Sequence, residues 1–318
     1  MIIALDAMGG DYAPEETVAA AVAWSQDSED VILLVGQEES LREELVKHHY
    51  DREQIRIINA SQVMGMDEPV AALRKKQDSS IVVATRLVQE GQAEAVVSCG
   101  STGAQMAAAA LVLGRMEGIE RPPIVAEAPG IKSRGTLLLD VGANVDCKPQ
   151  QLVQFALLGS VYASALLGIE SPRVAVLSNG EEEGKGNKLS TETYALLKEH
   201  QGINFVGNIE GREIFFDKAE VVVCDGFVGN ILLKALEGFA QLMGKNCLTE
   251  MGQMPSLFAR LDNSKVGGAP LLGVNGVSIV CHGSSKREAV YNGIRIARQC
   301  VAGQMVKKQQ SALRGQQK

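Results

Sequence analysis

The sequence is poor in several things at once. Aromatic residues fill only 4% of the 318 positions, and 31 Lys plus Arg face 38 Asp plus Glu for a net charge of −7. A general nucleic-acid binder needs a basic surplus to neutralise phosphates, and none exists here. The four histidines (His48, His49, His200, His282) lack metal-ligand spacing, so neither a metal nor another cofactor is expected. Six cysteines (Cys99, Cys147, Cys224, Cys247, Cys281, Cys300) are scattered without a CxxC pair. That argues against a disulfide scaffold and fits reduced thiols in a cytoplasmic setting. No stretch approaches eighteen consecutive apolar residues, so no membrane span is expected. The start, MIIALDAMGGDYAPE, has no basic region and is interrupted by Asp6, so it is not read as a signal peptide.

What is present is an ordinary apolar share of 46%, arranged in short β-branched runs that alternate with longer helical patterns. Ten strands are predicted, among them Ile2–Asp6, Val31–Val35, Ala95–Ser98, Thr136–Asp140, Arg173–Leu177, Val221–Cys224 and Val277–Cys281. Several are unbroken apolar runs, as in strands covered on both faces. Helices are predicted at Glu15–Ser25, Glu38–His48, Ser79–Glu90, Gly103–Arg115, Pro149–Leu167, Leu189–His200, Val228–Met243 and Ser285–Lys308. This alternation predicts an α/β fold, a doubly wound, largely parallel sheet with helices on both faces in three layers. Composition marks no internal boundary, so one domain over 1–318 is expected, with a frayed polar tail at 309–318.

Ligands of such sheets sit beyond the carboxyl ends of the strands. There the sequence repeatedly places small polar, glycine-rich turns. Asp6 leads into Gly9, Gly10 and Asp11; Ser98 leads into Gly100, Ser101, Thr102 and Gly103; Asp140 leads into Asn144. Asn179 precedes the loop carrying Lys185, Asp225 precedes Asn230, and the last strand ends at His282. The Ser98–Gly103 turn opens a helix, so its free N–H groups and positive dipole end suit an anion, although a plain helix cap uses the same residues. Lys185 is the cation on a glycine-flanked loop; the alternative is a solvated lysine paired with Glu181–Glu183. The carboxylates Asp6, Asp11, Asp140, Asp146 and Asp225 either converge on one sheet edge or bond their own turns. Known nucleotide motifs fail: Gly180–Lys188 has the wrong Walker spacing, and neither GxGxxG nor GxSxG occurs where it would count.

Read in order, these turns resemble the bacterial phosphate acyltransferases that make acyl phosphate from acyl-acyl carrier protein. The matching stretches are DAMGGDYAP (6–14), SCGSTGA (98–104), LDVGANVDCKP (139–149), LSNGEEEGKGN (177–187), GNIEGREIF (207–215), VVVCDGFVGNILLKALEG (221–238), GGAPLLGVNG (267–276) and HGSS (282–285). Two positions depart from the usual pattern: Ser101 stands where Asn is common, and Val266 where Tyr is common. The resemblance implies a phosphotransacetylase- and isocitrate dehydrogenase-like fold and a homodimer. It also implies a cytoplasmic protein working at the membrane surface in phospholipid synthesis, beside a membrane glycerol-3-phosphate acyltransferase.

That chemistry moves an acyl group from a thioester to inorganic phosphate. Phosphate itself attacks, so no protein nucleophile is needed, which fits the lack of a convincing triad. Ser98, Gly100, Ser101, Thr102 and Gly103 are assigned to phosphate. Lys185, Asn144, Asn179, Asn230 and His282 are candidate donors or cations, oriented by Asp6, Asp140 and Asp225, with Gly9, Gly10 and Asp11 in the first turn. Arg287, Arg295 and Arg298 lie at near-helical spacing and are candidates for docking the acidic carrier protein; the alternative is a solvated helix face. Met251, Met254, Leu257, Phe258 and Leu261 form an apolar stripe. It is read either as a membrane contact or as a core or dimer face, with Pro255 as a break. A CoA-dependent phosphotransacetylase, a non-catalytic recruiting module and a dehydrogenase remain the alternatives.

Overall fold

A computed structural model of the chain describes residues 1–130, 135–251 and 267–315. Backbone contacts divide the chain into two units, Met1–Met116 with Asn263–Val306, and Glu117–Asp262 with Lys307–Lys318. The sequence pattern predicts doubly wound α/β architecture, and the structure builds it as two sheets, one per unit.

The first unit carries β1 (Ile2–Asp6), β2 (Val31–Gly36), β3 (Ile55–Asn59), β4 (Ala95–Ser98), β10 (Gly268–Leu271) and β11 (Val277–Cys281). Their order is β10-β11-β4-β1-β2-β3, with every neighbouring pair parallel except β10 with β11. Strands β4 and β11 are buried along their whole length, which explains their largely apolar sequences, with only Ser98 and Ser278 polar. Ala4, Leu33, Val35 and Val96 pack against Ile81, Val82, Ala84 and Leu87 of α3 (Ser80–Gln89) and against α4 (Thr102–Ala108). Helices α1 (Glu15–Asp27) and α8 (Arg287–Ala302) pack on one another, with Trp24 and Tyr291 edge to face at 5.0 Å. Between them lies α2 (Glu38–Leu45) in sequence, against β3 and α1. Strand β10 is the one that hydropathy missed. Its Gly-Ala-Pro-Leu sequence reads as a turn, but as an edge strand it tolerates a proline without an N–H.

The second unit carries β5 (Val125–Ala128), β6 (Thr136–Leu139), β7 (Arg173–Ser178), β8 (Asn204–Glu210) and β9 (Val221–Val223), in the order β5-β6-β9-β7-β8. Only β5 runs antiparallel to its neighbour. Helix α5 (Pro149–Leu167) is long and apolar enough to cross a membrane, yet Leu152, Phe155, Ala156 and Leu158 bury it against β6, β7 and β9. Helix α6 (Lys188–Glu199) packs beside it, and α7 (Gly226–Met251) contacts β6.

Two expectations for the C-terminal region change. The single helix expected over Ser285–Lys308 ends at Ala302, and Gln304 adopts a left-handed φ of 53° that turns the chain. Of the tail expected to fray, residues 309–315 belong to helix α9 (Met305–Gly315), whose Met305, Gln309 and Leu313 are buried at four-residue spacing, and 316–318 lie outside the described residues.

Candidate active site

The candidate residues fall into two clusters, one on each unit. In the first, the chain proceeds from β1 to β2 and β3 on one side and places β4 on the other, so the sheet's winding reverses between β1 and β4. Such a switch point leaves a crevice between two loops that diverge to opposite faces. Asp6 and Ser98 pair across it in register. Ser98 Oγ donates to Asp6 Oδ2 at 2.6 Å, and Gly100 N donates back to Ser98 Oγ at 3.0 Å. Asp6 is buried, and that burial pushes its carboxyl up, opposed by hydrogen bonds from Ser80, Ser98, Met8 and Gly9. Ser80, at the start of α3, is a partner that sequence reading missed, because nothing in a Ser-Ser pair before an apolar run distinguishes it from a cap.

Gly9 fixes how closely these loops approach. A Cβ there would stand 2.6 Å from Asp6 Oδ2 and 2.7 Å from Gly100 N. Only a residue without a side chain lets the first turn lie on the β4 turn. The third loop joins through Asp11 N, which donates to the Gly283 carbonyl at 2.8 Å. His282 itself is exposed; its Nδ1 accepts from Ser284 N at 3.2 Å and lies 2.7 Å from Ser284 Oγ. Its Nδ1 is thus engaged within its own turn, beside the cluster.

Beyond Ser98, Ser101 is the cap residue of α4, and its side chain makes no capping bond. Thr102 is exposed and Ser101 half-buried. Helical geometry continues past α4 as a wider turn to Leu113, so a helix of several turns aims uncapped N–H groups at the crevice. Unoccupied donors, two hydroxyls and the positive dipole end form a cradle for a small anion.

The second cluster sits at the carboxyl ends of β6, β7 and β9. Asp140 is fully buried and accepts from Ile124 N, Ala143 N, Asn144 N and Asn144 Nδ2, at 3.0, 3.1, 2.6 and 3.0 Å. Burial nonetheless pushes its carboxyl up. Asn144 Nδ2 also donates to the Pro122 carbonyl at 3.0 Å, so both hydrogens of its amide are engaged within the protein. Asn144 is thus part of the knot that shapes this loop, in place of the free donor expected from sequence. Asp225 Oδ1 caps α7 by accepting from Val228 N at 2.8 Å. The five carboxylates consequently do not share one sheet edge: Asp6 and Asp11 belong to one unit, Asp140, Asp146 and Asp225 to the other. Asp6, Asp140 and Asp225 each organise their own turn.

Asn179, Lys185 and Asn230 are exposed. The stem of Lys185 folds back on Gly180, where a Cβ would meet its Cγ at 2.8 Å. Two of the three neighbouring acids have other partners: Glu181 pairs with Lys218 at 3.1 Å and Glu183 with Lys198 at 2.9 Å, while Glu182 lies beside Gly180 as Lys185 does. Among the described residues Lys185 forms no ion pair, so its ammonium is available to a ligand.

Cysteine nucleophiles find no support. The neighbouring Cys281 thiol and burial hold Cys99 well above the ordinary thiol range; burial does the same to Cys224 and pushes Cys147 to about 12. All three are thiols at neutral pH, and it is the thiolate that attacks.

Of the docking candidates, Arg287, Arg295 and Arg298 are all exposed on α8. Arg298 Nε pairs with Asp30 Oδ2 at 3.1 Å, and Arg287 N donates to Glu16 Oε2 at 2.6 Å, so acidic groups of the first unit flank this face. Of the apolar stripe, Met251 ends α7, while Met254, Leu257, Phe258 and Leu261 lie outside the described residues, as does Val266.

The sequence profile of the family described as "Fatty acid synthesis protein" matches residues 1–308. A curated protein of Syntrophomonas wolfei named "Phosphate acyltransferase" is 60% identical over 98% of this chain and 98% of its own. One of the same name from Heliobacterium modesticaldum is 52% identical over 95% of this chain and 94% of its own. Among solved structures, a phosphotransacetylase from Streptococcus pyogenes matches with a TM-score of 0.63 at 18% identity, over 96% of this chain and 94% of its own. At that identity the likeness concerns the fold alone.

Proposed function

The chain belongs to the phosphate acyltransferase family, and from that premise we propose that it moves a fatty acyl group from acyl-acyl carrier protein to inorganic phosphate. The observation that carries the reading is the uncapped start of α4 at the switch point, with Ser101 and Thr102 beside it. It supports phosphate bound through the backbone N–H groups of that helix and the hydroxyls of Ser101 and Thr102. Asp6 holds Ser98, Ser98 holds the Gly100 N–H, and Gly9 sets the approach of the loops.

A phosphate oxygen attacks the thioester carbonyl carbon, forming the C–O bond and a tetrahedral oxyanion. Collapse breaks the C–S bond and expels the carrier's thiolate, which takes a proton from solvent. The protein's tasks are to position phosphate and to stabilise negative charge. Lys185, without an acidic partner, is the cation assigned to that charge, and exposed Asn179 and Asn230 are neutral donors. Asp140 and Asn144 hold the backbone of their loop. Direct attack is consistent with the absence of an activated thiol among Cys99, Cys147 and Cys224.

Three further assignments complete the reading. Arg295, with Arg287 and Arg298, offers the acidic carrier protein a docking face. Helix α7 exposes Phe227, Ile231 and Leu242, a stripe suited to a second copy of the chain in a homodimer. The segment that follows, Met251 to Leu261, is assigned to peripheral contact with the membrane surface, where a glycerol-3-phosphate acyltransferase would consume the product.

The test compares donors. Acyl-acyl carrier protein and acyl-CoA of equal chain length are each offered with phosphate, and acyl phosphate is trapped with hydroxylamine. The reading expects carrier-protein turnover to dominate; activity with CoA alone would make the chain a phosphotransacetylase, and none with either donor would make it a recruiting module.

A further inference from the structure

The second unit contains a cleft of about 430 Å³ at the carboxyl ends of β7 and β9, within the size range of small-molecule sites. Its walls are mostly carbon, from Leu152, Val176, Leu177, Leu189 and Val228. We propose that this cleft holds the acyl chain of the donor, an inference that rests on the acyltransferase reading above.

The contrast with the first cluster carries the argument. Two helices begin at the rim of this cleft, and both are already capped. Asn187 Oδ1 accepts from Ser190 N at 2.9 Å at the start of α6, and Asp225 Oδ1 accepts from Val228 N at 2.8 Å at the start of α7. One donor at each helix start is therefore taken by its own cap, and the Asp225 carboxylate repels a second anion. At α4 the equivalent cap is empty. One site thus suits an anion and the other does not. What the second site does offer is apolar surface, from the half-buried Leu177 and Leu189 and from Val228, which is 38% exposed at its mouth. A chain of methylene groups is the ligand whose transfer from water such walls favour. Polar side chains share the lining: Ser178, Asn179, Asn187, Ser190 and Asp225. Ser178 Oγ is buried on the wall and has no hydrogen-bond partner among the described residues. It is an unpaired hydroxyl just behind the wall, and we assign it to the carbonyl oxygen of the acyl thioester, which it would reach by a side-chain rotation. The cleft also begins beside Asn179 and the loop that bears Lys185, so a chain seated there brings its head to the groups assigned to the chemistry.

The test reads chain-length preference. The whole chain and its variants Leu189→Trp and Val228→Trp, which fill the cleft from partly exposed positions, are assayed with octanoyl- and palmitoyl-acyl carrier protein at varied phosphate. The proposal expects the palmitoyl-to-octanoyl ratio of kcat/KM to fall at least tenfold, with the KM for phosphate unchanged. Leu189→Ala, which enlarges the cleft and cannot overpack it, is expected to move the ratio the other way. Direct binding of a fluorescent fatty acid, cis-parinaric acid, should weaken at least tenfold in the tryptophan variants. Folded variants that keep the wild-type ratio and the wild-type probe affinity would overturn the cleft assignment while leaving the acyltransferase reading intact. A wild-type chain that consumes neither donor would overturn that reading, and the cleft assignment with it.

Discussion

Gly9→Ala isolates the geometry of the phosphate cradle, because the added methyl touches neither solvent nor ligand directly. It would stand 2.6 Å from Asp6 Oδ2 and 2.7 Å from Gly100 N. To reach ordinary contact at 3.4 Å the Gly100 backbone must retreat by about 0.7 Å, and it is main chain, not the yielding end of a long side chain. That retreat stretches the Gly100 N to Ser98 Oγ bond from 3.0 Å and carries the start of α4 with it. A misplacement near 1 Å costs about a hundredfold in rate, so kcat/KM for phosphate should fall roughly 10- to 100-fold, about 1.4–2.7 kcal/mol. Overpacking should lower stability by roughly 1–3 kcal/mol. Steady-state kinetics at varied phosphate give the first quantity and urea denaturation the second. Gly65→Ala is the control, since its methyl would meet only Glu68 at 3.5 Å and should leave both unchanged. If Gly9→Ala keeps wild-type phosphate kinetics and stability, the contact between the β1 and β4 turns does not shape the site.

Other perturbations probe separate parts of the account. Ser101→Ala and Thr102→Val should each raise the KM for phosphate, by the roughly 1.5–3 kcal/mol that a lost hydrogen bond to a charged ligand costs; phosphate titrations of turnover check this. Lys185→Ala should lower kcat with the melting temperature unchanged, and Lys185→Arg should restore part of it, because the charge is needed more than the shape. Asp6→Asn tests the buried carboxyl through pH. Because burial raises its folded-state value above the ordinary 3.8, the native state favours the protonated form, and its contribution to stability is lost as pH rises from that value through the folded one. The Asn variant lacks this loss, so denaturation at pH 4 and pH 7 should show its stability relative to wild type increasing with pH. Ile231→Glu with Leu242→Glu should shift the chain toward monomer in light scattering. Leu257→Glu with Phe258→Glu should reduce flotation with anionic liposomes, whereas flotation equal to wild type would remove the membrane assignment.

Much of the fold was legible because central strands buried on both faces are apolar or nearly so, as in Val221–Val223 and in Val277–Cys281, where Ser278 is the one polar residue. Turns rich in glycine, serine and aspartate then marked the strand ends where ligands bind. What was illegible was set by pairing between distant segments. Gly268–Leu271 became a strand only because β11 supplied an edge, and the tail became a helix because Met305, Gln309 and Leu313 found burial. Residue types named the candidates but not their partners. Asn144 looks like a free donor until its amide is seen on Asp140 and Pro122, and Lys185 looks neutralised until Glu181 and Glu183 are seen on other lysines. The cleft beside β7 had no sequence signal, since its apolar lining comes from four separate elements, α5, β7, α6 and α7.

The most direct test of the central claim is thiol release from acyl-acyl carrier protein as a function of phosphate concentration. The account predicts no release without phosphate, neither slow turnover nor a burst equal to the enzyme present, and a hyperbolic rise to saturation as phosphate is added, matched by acyl phosphate formed. Release in the absence of phosphate, or release that phosphate does not accelerate, would contradict it.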